Sequence, residues 1–116
     1  MKHKQSYYER IKEVSGFPHH THVMIQVFYH AGNRNIGYGA MPKGYYLCVK
    51  PVSRAHGLLT YDMDLYTKVF LFPAKDRRFS VSDFRQAIQV GETLAPEKID
   101  YLRKAAHSNT TLRAAA

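Results

Sequence analysis

Acidic residues are scarce in this chain. Nine Asp and Glu stand against seventeen Lys and Arg, a formal charge of +8 with a pI near 9.7. The shortage is greatest up to His56. There only Glu9 and Glu13 oppose Lys2, Lys4, Arg10, Lys12, Arg34, Lys43, Lys50 and Arg54. Such a surplus concentrates polyanions nearby: nucleic acid, an anionic membrane or an acidic protein. It also serves solubility alone.

Cysteine is nearly absent too. Cys48 is the single one, so no intramolecular disulfide can form, which fits a reducing compartment. No apolar run reaches membrane-spanning length, and none follows Lys2 and Lys4 as a signal peptide requires. These absences predict a cytoplasmic protein without membrane association. With 116 residues there is room for one domain, and none for a cofactor domain beside a substrate domain. No cofactor is expected. Residues 1–107 read as the domain and 108–116 as a flexible tail, whose last three alanines resemble a vector-derived scar.

Ser6 and Glu9 stand at capping-box spacing, and Tyr7, Ile11 and Val14 recur at helical intervals before Gly16. That predicts a helix from about Tyr7 to Ser15. His22 to His30 is rich in β-branched and aromatic residues and alternates, with Val23, Ile25, Val27 and Tyr29 opposite Met24, Gln26 and Phe28. It reads as a strand, as does Tyr45 to Ser53. In the second of these Pro51 cannot donate to a ladder, which predicts an edge position or a bulge. Two further strands follow. One places Leu59, Tyr61 and Met63 on one face; the other, Thr67 to Phe72, is apolar on both faces and so predicted to be central. Gly91 closes a predicted helix from Val81 to Val90, and Pro96 opens another that ends near His107. Strands in a block flanked by helices predict an α+β fold: a small, mostly antiparallel sheet of about four strands, with an N-terminal and two C-terminal helices on one face.

Between the first two strands, Gly32 to Tyr46 holds four glycines and no acid. Gly39 and Gly44 have Walker A spacing, but Tyr45 and Tyr46 stand where Lys and Ser or Thr belong. Gly37 and Gly39 lack the third glycine of a dinucleotide loop and precede a strand, not a helix. What remains is a long hairpin connection, or a binding loop. In a binding loop Arg34 and Lys43 would meet phosphates, and Tyr38 and Tyr45 would offer stacking faces. Lys75, Arg77 and Arg78, ahead of a helix, could hold phosphate or simply be solvated.

His20 and His22 point the same way on an extended chain and could together hold zinc, but no Cys or carboxylate nearby completes a shell. No metal is therefore expected. A nuclease could draw on His20, His22, His56 and Lys43, or on Asp62 and Asp64 with magnesium. Nothing in the sequence fixes such geometry, and no catalytic residue is assigned. Cys48 reads as a small core residue.

The stretch "PKGYYLCVKPV", with "TKVFLFPAK" and "RRFS" downstream, resembles small uncharacterised proteins carried on conjugative and other mobile elements of gut bacteria. The resemblance covers about Met41 to Ser80 and carries no catalytic role. It implies an accessory protein of mobile DNA, a class that often binds DNA or RNA or blocks a host defence complex.

The function expected from the sequence is therefore non-enzymatic binding of nucleic acid by a basic, tyrosine-bearing surface. Arg34, Lys43, Lys50, Arg54, Lys75, Arg77 and Arg78 would meet phosphates, and Tyr38, Tyr45 and Tyr46 would stack on bases. The alternatives are a protein-interaction module or inhibitor of a host complex, with tyrosines as anchors, and then a nuclease. Either a monomer or a homodimer fits.

Overall fold

A computed structural model describes residues 6–32, 41–55, 57–61, 64–75 and 78–115; of Ala55 and of 109–115 only the backbone is described. Five strands precede one helix: β1 (Tyr7–Glu13), β2 (His22–His30), β3 (Gly44–Ala55), β4 (Leu58–Tyr61), β5 (Thr67–Pro73) and α1 (Val81–Ala115). Every strand pair is antiparallel. β2 lies between β1 and β3, while β4 and β5 share the other edge of β3, one after the other. α1 packs on β2, β3 and β5.

The alternation of β2 and β3 decides which side α1 covers. Register pairs Val23 with Pro51, Ile25 with Val49, Val27 with Leu47 and Tyr29 with Tyr45. These side chains share one face. Phe84, Ala87, Ala95, Ile99, Leu102 and Ala106 of α1 close the core over it. Their spacing follows a helical stripe.

Three sequence-based expectations are corrected here. The first concerns the N-terminal segment, which is the edge strand β1 and not a helix. On an extended backbone Tyr8, Arg10 and Lys12 face the α1 side. Glu92 of α1 accepts from Arg10 through Nε at 2.7 Å and a terminal nitrogen at 2.6 Å, and from the Tyr8 hydroxyl at 2.7 Å. A polar, tertiary partner thus replaces the apolar alternation that marks a strand in sequence. The Arg10 guanidinium holds the Glu92 carboxyl below its ordinary value, and Glu92 in turn raises the Tyr8 phenol.

The second correction joins the two C-terminal helices into one of 35 residues, which runs through the segment read as a tail to Ala115. Gly91 does not end a helix. A Cβ there would lie 2.8 Å from Val27 Cγ2 and 3.4 Å from Leu47 Cδ1, so Gly91 is where the helix backbone comes down onto the sheet. Pro96 lies inside α1 on its exposed side. At 1.5 Å per residue the helix is roughly 50 Å long. No described helix is long and apolar enough to cross a membrane.

The third correction concerns which strand is central. β3 is interior, and β5 pairs with β3 alone among the described strands. Pro51 is buried in β3, beyond the last β5 pair (Val49 with Thr67) and before the first β4 pair (Val52 with Tyr61). A residue without an N–H is tolerated in such a gap. β5 looked apolar on both faces because of an irregularity. Tyr45 pairs with Phe72 but Tyr46 with Phe70, leaving Leu71 as an extra residue. The bulge sends Phe72 to the core side and Phe70 to the other, although two residues separate them.

Candidate functional site

Among the described residues, no helix or strand covers the sheet face opposite α1. Register places on it Tyr7, Glu9, Ile11 and Glu13 of β1, and Met24, Gln26 and Phe28 of β2. β3 contributes Tyr46, Cys48, Lys50, Val52 and Arg54, β4 Leu59 and Tyr61, and β5 Lys68 and Phe70.

An aromatic ladder crosses this face. Phe28 stacks on Tyr46 with centroids 5.6 Å apart, and Phe70 meets Tyr46 from the other side at 5.2 Å. Tyr46 forms the floor, 3% exposed, with its hydroxyl donating to Pro42 O at 2.7 Å. Burial raises its phenol pKa. Phe70 stands above the floor at 41% exposed, Tyr61 at 52% and Tyr7 at 36%. Gln26 Nε2 donates to the Tyr7 hydroxyl at 2.6 Å, which itself donates to Glu9. Burial, and then the Glu9 bond, push the Tyr7 phenol up.

Cations intersperse these rings. Lys50 Nζ lies 4.3 Å from the centroid of the Tyr61 ring. Lys68 stands opposite Cys48, and its Nζ approaches Met41 Sδ at 3.7 Å. Burial pushes the Cys48 thiol up, while Lys50 and Lys68 pull it the other way. The centre of the face therefore sits in a positive field. Among the described strand residues on this face the acids are Glu9 and Glu13, on β1 at the far edge.

The structure redistributes the residues chosen from sequence. Lys50 and Arg54 share the open face. Tyr45 does not. It faces the core with no exposure, between Tyr29 and Phe72, and exchanges hydrogen bonds with the Ser80 backbone at 3.0 and 3.3 Å. Neither Tyr45 nor the buried Tyr46 can stack on a base. The reason is strand alternation: adjacent residues must point to opposite faces, and the core takes one while Phe28, His30 and Phe70 hem in the other. Lys43 is exposed just before β3. Arg34, Tyr38 and Arg77 lie outside the described residues.

Lys75 and Arg78 lie at the start of α1, lining an open depression of about 580 Å³ with Phe79, Ser80, Ser82 and Asp83. Ser80 Oγ caps the Asp83 N–H at 3.3 Å, and Asp83 itself pairs with Lys75 at 3.7 Å. The chain's own carboxylate thus already complements this helix end. His20 packs edge-on against Phe17, and His22 Nδ1 is 2.8 Å from Thr21 Oγ1. Among the described residues, no three His, Cys, Asp or Glu side chains gather as metal ligands would. His56 and Asp62, which the nuclease readings needed, are outside the described residues.

Lys68, Phe70 and Tyr61 were missed as site residues. The sequence reads β5 as a central strand, and a central strand offers no exposed face on which to seek a site. The available signal was local: Lys68 and Phe70 alternate with Val69 and face away from it. Comparison with models of protein families, with curated proteins and with solved structures finds no match.

Proposed function

We propose that the protein binds nucleic acid on the open face of the sheet. One observation supports the reading most: exposed Phe70 and Tyr61 flank Lys68 and Lys50 on a face that no described element packs against. Aromatic rings offer stacking surface to bases, and adjacent cations neutralise phosphates. The site differs from the tyrosine pair suggested by the sequence, but the chemistry is the same. The single cysteine makes a cytoplasmic location the natural setting.

Salt dependence tests the reading. With Lys50, Lys68 and Arg54 each meeting a phosphate, the log–log slope of affinity against salt should be roughly −2 to −3. Between 50 and 200 mM salt that is a loss of about tenfold or more. A titration flat in salt removes the proposal. A second reading, docking of a protein partner, is supported by exposed Leu58, Leu59, Tyr61 and Tyr66 in and beside β4. It requires a partner that survives nuclease treatment and binds with little salt dependence.

A further inference from the structure

Resting on that reading, we infer that the ligand is single-stranded and lies along β3 with a footprint of about six nucleotides. Facing side chains on the open face mark successive even positions of β3. Phe70 stands at Tyr46, Lys68 at Cys48, Lys50 at its own position, Tyr61 at Val52 and Arg54 one step further. Ring, cation, cation, ring and cation thus follow one another at intervals of two residues, about 7 Å. From Tyr46 to Val52 is six residues, or about 20 Å at strand rise. Nucleotides stacked at 3.4 Å cover that distance in about six steps.

Three features select a single strand. Phe70 and Tyr61 can gain stacking energy only from bases whose faces are free, and a duplex buries those faces in its own stack. Phe70, Lys68 and Tyr61 come from the strands beside β3 and Lys50 and Arg54 from β3 itself, a band two strands wide that suits one backbone. Glu9 and Glu13 on β1 repel a second backbone laid across the sheet at the opposite edge. The row is indifferent to sugar and to base identity, so single-stranded DNA and RNA share the chemistry.

The test is fluorescence anisotropy on the full chain at low salt, using labelled dT3, dT6, dT12, rU6 and a 20-base-pair duplex. Affinity should rise steeply from dT3 to dT6 and only slightly to dT12, with the duplex roughly tenfold weaker or worse. The dT6 and rU6 arms tell whether DNA or RNA is preferred. Phe70→Ala should weaken dT6 by roughly tenfold and leave the duplex unchanged. Because Phe70 also packs on Tyr46, the more exposed Tyr61→Ala gives an independent measurement with the same expectation. Equal affinity for duplex and single strand, with neither variant altering dT6, overturns this inference and leaves nucleic-acid binding standing. Absence of binding to every probe overturns both.

Discussion

Gly91 of the helix faces Val27 of β2 so closely that a single added methyl group would come within 2.8 Å of Val27 Cγ2. Val27 is fully buried and β-branched, so it has little freedom to retreat. Gly91→Ala gains about 1 kcal/mol of helix propensity. Overpacking against the sheet costs about 1–3 kcal/mol. The expected net loss is about 1 kcal/mol, read as a lower urea midpoint. Adding Val27→Ala removes the obstructing methyl groups, so Gly91→Ala should cost less in that background, a coupling that a double-mutant cycle measures.

Tyr45→Phe separates the two tyrosines that sequence could not tell apart. The hydroxyl accepts from the Ser80 N–H at the start of α1, and burial raises its pKa. Its loss leaves that N–H without its partner and should cost about 1–2 kcal/mol of stability. Affinity for dT6 should not change, because the ring lies on the core side. A weakened dT6 titration with an unchanged unfolding midpoint would contradict the placement.

The bond between Arg10 and Glu92 predicts a pH dependence with a definite sign. Glu92 has a lowered pKa in the folded protein against an ordinary value of 4.5. Its contribution is therefore fully present above 4.5 and fades as pH falls through the depressed folded value. Arg10→Met should lower stability by about 1 kcal/mol at neutral pH, the pair being partly exposed. The gap between wild type and variant should narrow below pH 4.5, followed by urea melts across that range. A gap that widens on acidification would refute the assignment.

Lys50→Ala and Lys68→Ala should each reduce the salt slope of nucleic-acid binding by roughly 1. Lys104→Ala, exposed on the helix, is the control and should leave the slope where it is. Equal effects from all three would indicate that net charge, and not this face, governs binding.

The parts legible in sequence were those whose signal is local. Alternation in His22–His30 identified β2 and divided its side chains between two faces, and Thr67 to Phe72 identified β5 almost to its ends. What stayed hidden depended on partners far along the chain. β1 turns Tyr8, Arg10 and Lys12 toward α1, an arrangement that makes sense only with Glu92 there to accept from Arg10, eighty-two residues away. Gly91 reads as a stop signal until the sheet beneath it is known. Phe70 and Phe72 cannot be assigned to opposite faces without the extra residue that a ladder partner reveals. The basic character of the chain was visible in the totals, but the open face that gathers Lys50, Arg54 and Lys68 was not. Alternation puts one of each adjacent pair inside, and only the register shows which.

All five strands precede α1 in the chain, yet α1 supplies the other half of the core. During synthesis, then, the underside formed by Val23, Ile25, Val27, Leu47 and Val49 emerges from the ribosome well before its cover does. Until α1 docks, that underside is uncovered apolar surface. Chaperone occupancy should peak in that interval and fall when the helix docks.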